Sequence, residues 1–267
     1  MVPVLSIAFM TISAIVSIGW PIALFLLFRK KFDMKAVPLI LGAGAFFVFA
    51  LTLEPMLHAS VLRRDESGQI ALMASHPALY ALYGCLAAAI FEGAARLISF
   101  LILKKNYHGE GAALSYGIGH GAIEAVLLAG LPFVSNAALS IMINAGAAPD
   151  LGEQAAAVTD ALVNTNSFVF LAGGFERFCA VAIQISLSVL VWHSVSGWRK
   201  LWLLPAAILL HALIDAPAML MQIGVLTSIP VVEALVFVCA IGVCFIAFRV
   251  HKSYREETDG ERSSPQE

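Results

Sequence analysis

Ionisable side chains recur inside the apolar stretches of this sequence at spacings that place them on common helix faces. Four pairs are separated by four residues, namely Glu54 with His58, Glu92 with Arg96, His120 with Glu124, and His211 with Asp215. Residues four apart lie on one face of an α-helix, so each stretch would present one polar edge. A charge at the centre of a bilayer costs at least about 2.5–3.5 kcal/mol on insertion scales, so such residues are rare and mostly functional.

These carboxylates, histidines and arginines include the groups that hydrolysis needs. A buried glutamate can act as a general base toward water, and histidines can hold that water or donate to a developing oxyanion. A zinc site is an open alternative, because His120, Glu124 and His211 would supply two imidazoles and one carboxylate from two helices. The HExxH pattern of many zinc proteases is absent.

A purely structural role is the competing interpretation of each motif taken alone. Glu92 with Arg96 could be a neutralised pair, and the adjacent Glu176 and Arg177 in GGFERF favour a structural bridge. Glu54 and His58 end the second apolar stretch, where solvent would reach them. Together, the carboxylates and histidines outnumber the basic residues available to neutralise them, which argues against a merely structural role.

The apolar stretches that carry these residues are long enough to cross a membrane. Of 267 residues 60% are hydrophobic and 13% are charged, against about 25% charged in soluble domains. A membrane helix needs about 20 apolar residues. The sequence therefore predicts an all-α, polytopic bundle of about seven transmembrane helices, over residues 4–27, 36–57, 77–103, 112–134, 167–195, 200–222 and 228–248. The fourth could continue past Pro132 towards Ala145, because proline is tolerated in membrane helices.

The basic residues predict the orientation of this bundle. Twelve of the sixteen follow the first, third, fifth and seventh stretches, whereas the opposite side holds Arg63 and Arg64 with the acids Asp150, Glu153 and Asp160. Basic loops stay in the cytoplasm, so we expect the N-terminus outside and the C-terminus inside. Residues 1–250 would form one membrane domain, and the charged segment 251–267 a disordered cytoplasmic tail. The net charge of −2 does not indicate a nucleic-acid partner.

Several motifs resemble those of the YhfC family of intramembrane proteases, which is similar to the type II CAAX prenyl endopeptidases and the CPBP (Abi) membrane proteins. The matching residues run from Glu92 to Arg96 in FEGAAR, from Tyr116 to His120 in YGIGH, and from His211 to Asp215. The resemblance implies that Glu92 activates water, that His120 and His211 support the water and the oxyanion, and that Asp215 orients His211. Supporting roles would fall to Arg96, Glu124, Glu176 and Arg177.

Two positions depart from the family pattern. The family usually has a second glutamate where this chain has Gly93, and a histidine where it has Gln184. The first glutamate is present, so an enzyme remains the expectation, with activity weakened if those two positions matter. The related CAAX enzymes look like glutamate-dependent proteases, and the resemblance therefore favours a glutamic mechanism without a metal cofactor. A divalent metal such as zinc is the alternative.

The leading hypothesis is thus a glutamic-type intramembrane endopeptidase in a bacterial cell membrane, with a peptide or membrane-protein substrate. A proton-coupled transporter is a second hypothesis, with Glu92, Glu124 and Asp215 as a relay. The absence of an inverted repeat counts against it. A third is a non-catalytic scaffold derived from a protease, to which Gly93 and Gln184 lend weight.

Overall fold

The computed structural model describes residues 1–147, 153–197 and 200–263. Within these ranges the chain is helical and forms no β-strand, apart from an isolated bridge between Arg64 and Ile70. The helices are α1 (Val4–Phe28), α2 (Ala36–Val48), α3 (Glu54–Val61), α4 (Ala71–Ser75), α5 (Pro77–Leu103), α6 (Glu110–Ala125), α7 (Leu131–Asn144), α8 (Glu153–Asn164), α9 (Ser167–Ser194), α10 (Leu203–Gln222) and α11 (Ile229–Ser263).

Seven helical stretches are long and apolar enough to span a membrane, which confirms the predicted all-α membrane bundle. Their bounds are Val4–Phe28, Ala36–Val61, Pro77–Leu103, Glu110–Asn144, Ser167–Ser194, Leu203–Gln222 and Ile229–Ser253. The fourth continues well beyond Pro132, as the sequence allowed. The orientation stays a prediction, and two of the charged loop residues considered for it, Asp150 and Arg199, lie outside the described residues.

Short π-helical segments carry the second and fourth spans through a proline. The segment Phe49–Leu53 joins α2 to α3, and Val126–Gly130 joins α6 to α7. Pro55 and Pro132 each lie within two residues of the end of these segments. Proline lacks an amide hydrogen and displaces the backbone of the preceding turn, and a local change of helical pitch accommodates it. Glu54 and Glu124 flank these two irregular turns.

The core is centred on α6, which packs against α1, α2 and α9, while α5 packs against α10. Glycines allow this close approach. A Cβ atom at Gly119 would clash with the Leu39 backbone of α2, and one at Gly117 would lie 2.6 Å from the Ile185 Cα of α9. Small residues let membrane helices approach one another, so these glycines serve the packing of α6 on α2 and α9.

The last helix, α11, extends to Ser263 and therefore runs into the segment 251–267 that the sequence assigns to a tail. Residues 264–267 lie outside the described residues. The division into a membrane domain and a disordered cytoplasmic tail stays a prediction.

We predict that Gly119→Ala lowers the free energy of unfolding by about 1–3 kcal/mol, because the added methyl group meets the rigid backbone of α2. Gly44→Ala on α2 is the matched control, since a Cβ there meets no atom within 4 Å. It should be neutral, or stabilising by up to about 1 kcal/mol through helix propensity. Thermal unfolding of both purified variants in detergent measures the difference, and equal melting temperatures would contradict the packing role of Gly119.

Candidate active site

The carboxylate of Glu92 lies at the centre of the buried polar groups, where helices α5, α6 and α9 meet. Its Oε2 atom accepts hydrogen bonds from Arg96 Nη2 at 3.1 Å, His120 Nε2 at 2.9 Å and Gln184 Nε2 at 3.1 Å. The side chains are almost fully enclosed, with relative exposures of 6% for Glu92, 1% for Arg96 and 0% for His120. Charge-assisted bonds of this kind compensate the cost of removing a carboxylate from water.

Gln184 joins this centre to a second carboxylate. Its Nε2 donates to Glu92 Oε2 and, at 2.6 Å, to Glu124 Oε2, while its Oε1 accepts from Arg96. A guanidinium group only donates and an ionised carboxylate only accepts, so these partners fix which end of the amide faces which neighbour. One side chain of α9 thereby connects the Glu92 pair on α5 with Glu124 on α6.

His211 on α10 approaches Glu92 from the remaining side. Its Nε2 lies 3.9 Å from Glu92 Oε2 and 3.6 Å from Asp215 Oδ2, and both separations exceed hydrogen-bond length. Its Nδ1 also has no hydrogen-bond partner among the described residues. The structure thus brings the predicted residues Glu92, His120, His211 and Asp215 together, with His211 held near two carboxylates rather than bonded to either.

Arg177 ties α9 to α6 beside this centre. It donates to Glu124 Oε1 at 2.9 Å and also contacts its neighbour Glu176. Glu176 is the more exposed partner, with 40% of its side chain accessible. This geometry agrees with the bridging role that the sequence favoured for Glu176 and Arg177.

A cavity of about 400 Å³ adjoins Glu92 and is lined by helices α3, α5, α6, α9, α10 and α11. All the carboxylates of the cluster reach it, as do His211, Gln184 and Arg177. Arg96 and His120 lie behind Glu92 and do not line it. The cavity extends to Glu54, His58 and Leu62 near the end of the second span, and to Tyr80 and Gln222 at the corresponding ends of α5 and α10.

The sequence did not predict that Glu54 and His58 line this cavity. They were expected to be solvated near the end of the second span. Instead, His58 Nε2 lies 3.2 Å from Glu54 Oε1, and its Nδ1 lies 2.9 Å from the hydroxyl of Tyr83 on α5. The side chain of Glu54 is 12% exposed. A signal was available in α5, since Tyr80, Gly84, Ala88 and Glu92 follow one another at intervals of four and all line the cavity.

The two departures from the family pattern have different surroundings. A Cβ at Gly93 would lie 2.7 Å from Ile208 Cγ1, so this position is taken up by the packing of α5 on α10. Gln184, in contrast, lies inside the polar centre and bonds two carboxylates. The first departure removes a polar group from the site, whereas the second replaces one hydrogen-bonding side chain by another.

An enclosed polar cavity within seven apolar helices defines an integral membrane protein with an intramembrane site. Comparison with known proteins then gives the family. The model of the YhfC intramembrane metalloprotease family matches residues 12–236. The chain is also 35% identical to the uncharacterized membrane protein YhfC of Bacillus subtilis (strain 168), over 241 residues that cover 88% of this chain and 92% of that protein. The chain therefore belongs to the YhfC family.

The family confirms the resemblance inferred from FEGAAR and YGIGH and supports a membrane protease, which implies a bilayer and a peptide substrate. The Bacillus relative supports the predicted bacterial cell membrane. No solved structure matches the chain.

The family description names a metalloprotease, so the donor set must be compared with a metal centre. Among the described residues, no group of three or more His, Cys, Asp or Glu is placed to hold a metal ion. An ionised carboxylate only accepts hydrogen bonds, so the His120 Nε2 atom that faces Glu92 carries a hydrogen. That nitrogen therefore has no lone pair to donate to a metal ion. Metal-binding histidines usually donate their other ring nitrogen to a second partner, whereas Nδ1 of His120 and of His211 has none in the described chain. This arrangement does not fit a metal ion.

We predict that Gln184→Leu destabilises the protein by about 2–3 kcal/mol, because Arg96, Glu92 and Glu124 each lose a buried hydrogen-bond partner. Ser186→Ala, two residues further along α9, is the control. The Ser186 hydroxyl donates to Ala182 within its own helix and contacts Cys244 Sγ, a weak acceptor, on α11, so its loss should cost less than about 1 kcal/mol. Unfolding in detergent compares the two variants, and a Gln184→Leu protein as stable as Ser186→Ala would contradict the bridging role.

Proposed function

We propose that this protein is an intramembrane endopeptidase of the glutamic type, in which Glu92 activates water for attack on a peptide bond. The proposal is supported by the position of Glu92, which lines the cavity while its charge is compensated from behind. Arg96 and His120 hold the carboxylate from the side away from the cavity, so its orientation does not depend on substrate. Such preorganisation is what general-base catalysis in a water-poor site requires.

One observation carries this proposal: the hydrogen bonds to Glu92 all go to Oε2. Arg96, His120 and Gln184 converge on that oxygen, and Oε1 accepts none from the described residues. One oxygen therefore anchors the side chain while the other is free to accept a hydrogen from water. Glu92 takes that proton as the water oxygen bonds to the carbonyl carbon. The proton then passes to the amide nitrogen as the carbon–nitrogen bond breaks.

The two histidines take different parts in this mechanism. His211 lines the cavity, and neither of its ring nitrogens forms a hydrogen bond within the described part of the chain, so it is the residue that would donate to the oxyanion or hold the water. Asp215 lies 3.6 Å from its Nε2 and would orient it. His120 lies behind Glu92 and acts on it through the 2.9 Å hydrogen bond, as a positioning residue. Gln184 supplies a further donor to Glu92, so the proposal does not require the histidine that the family usually has there.

We predict that Glu92→Gln lowers the cleavage rate by at least about 10²-fold, since the amide cannot accept the proton from water. The change preserves shape and hydrogen-bonding capacity, and the melting temperature verifies that the variant is folded. Glu66→Gln, in the exposed loop between α3 and α4, is the matched control and should cleave at the wild-type rate. The assay incubates purified full-length protein in detergent with a peptide library and identifies products by mass spectrometry. Cleavage at an unchanged rate by Glu92→Gln would discard the glutamic mechanism.

We predict that chelation leaves this cleavage unchanged, because the proposed mechanism uses a carboxylate and imidazoles alone. The measurement repeats the library assay after dialysis against a strong zinc chelator, with a zinc-dependent protease as positive control. A loss of activity that added zinc restores would instead support the metal-dependent mechanism that the family description names.

A further inference from the structure

The cavity is lined by more carboxyl groups than its own cations can pair with. Five carboxylates line it, and Arg177 is its sole lining arginine or lysine within the described chain. Arg96 pairs with Glu92 from behind, and Arg177 pairs with Glu124 and Glu176. Two carboxylates are left, Glu54 and Asp215. The ion-pair partner of each is a histidine, His58 for Glu54 and His211 for Asp215.

These two carboxylates face the same part of the cavity. Glu54 and Asp215 both line it. Together with His58 and Tyr83 they form what we call the acidic end of the cavity. Two neighbouring carboxylates repel each other, so one of them takes up a proton unless a cation lies between them. The charge distribution at the acidic end therefore favours a positively charged occupant over a neutral or an anionic one.

An independent observation at His211 also indicates a ligand between the acidic end and Glu92. His211 is 5% exposed and forms no hydrogen bond at either ring nitrogen among the described residues. Its Nε2 lies 3.6 Å from Asp215 and 3.9 Å from Glu92, and all three residues line the cavity. Buried polar groups in native proteins nearly always have partners. This imidazole is thus placed to receive its hydrogen bond from a molecule that enters the cavity.

The walls near the acidic end suit a long aliphatic stem. Gly84 and Ala88 of α5 line this part of the cavity, together with Ile214, Ala218 and Met219 of α10. Lysine and arginine side chains bury such stems along apolar surfaces while their charged ends reach polar groups. The rings of Tyr80 and Tyr83 add faces that attract a cation. A volume of about 400 Å³ lies within the range of small-ligand pockets and admits one such side chain.

We propose that the acidic end of the cavity is a specificity subsite that binds a lysine or arginine side chain of the peptide substrate through Glu54 and Asp215. The proposal rests on the proposed function, because it assumes that the peptide bond to be cut lies beside Glu92. The basic side chain enters the acidic end, which aligns the adjoining backbone with Glu92 and His211. The enzyme then cleaves close to a basic residue of its substrate.

The first experiment measures specificity with purified full-length protein in detergent. N-acetylated peptides containing lysine or arginine are compared with peptides in which norleucine or citrulline replaces that residue. We expect kcat/KM to favour the basic peptides, and Glu54→Gln to reduce that preference at least about tenfold, as expected for losing a buried charge partner. Glu54→Lys should invert the preference towards a glutamate-containing peptide. Glu66→Gln is the control and should keep the wild-type preference.

Acetylation distinguishes two sources of the positive charge. A preference that persists in acetylated peptides comes from the side chain. A preference confined to peptides with a free amino terminus would overturn the assignment to a side chain.

The second experiment measures binding without catalysis. n-Butylamine carries the same ammonium group as a lysine side chain, and n-butanol is its neutral counterpart. We expect n-butylamine to raise the melting temperature of the wild-type protein more than n-butanol does. Its dissociation constant should rise at least about tenfold in Glu54→Gln and in Asp215→Asn. Equal effects of amine and alcohol, or equal affinities in wild type and both variants, would overturn the subsite.

The outcomes separate this proposal from the one it rests on. Cleavage that requires Glu92 but ignores basic residues contradicts only the subsite, whether or not the amine binds. Cleavage that continues in Glu92→Gln contradicts the glutamic mechanism, while amine binding still reports on the acidic end. A wild-type protein that cleaves no peptide in the library contradicts the proposed function and, with it, the subsite's role in substrate choice.

Discussion

The structure depends on keeping the Glu92 carboxylate ionised among apolar helices. An isolated carboxylate at that depth would be too costly, and its burial is compensated by donors from three helices that meet at one oxygen. Those same contacts hold α5, α6 and α9 at fixed positions relative to one another. The glycines of α6 make the contacts possible, because they allow the neighbouring backbones to approach closely.

This arrangement separates a structural side of the cluster from a cavity side. Behind Glu92, Arg96 and His120 are enclosed and satisfy its charge. In front, His211, Asp215 and Glu54 line a cavity, and His211 lies 3.6 Å from Asp215 and 3.9 Å from Glu92 without a hydrogen bond to either. Groups that are needed for folding are usually paired within the protein, whereas groups that meet a substrate keep capacity for it. The proposed roles of the two histidines follow from this difference in position, which their residue type does not indicate.

The irregular turns of the second and fourth spans contribute to the shape of the site. Both contain a π-helical segment beside a proline, and both have a glutamate next to that segment. A π-helical turn rotates the following residues relative to a regular helix. From its place near the end of the second span, Glu54 was expected to be solvated. In the structure it lines the cavity. The periodic pattern of a sequence does not reveal such a rotation, so it did not predict that Glu54 lines the cavity.

The sequence alone determined the membrane class, the seven spans and which helix edges are polar, because hydropathy and a spacing of four residues are local properties. It also supplied Glu92, His120 and His211 as candidates. Only the tertiary structure decided that Gln184 joins two carboxylates, that Gly93 serves packing, and that Glu54 shares a cavity with Asp215. These relations join residues far apart in the chain, and they depend on helix rotation and distance, which no local pattern encodes.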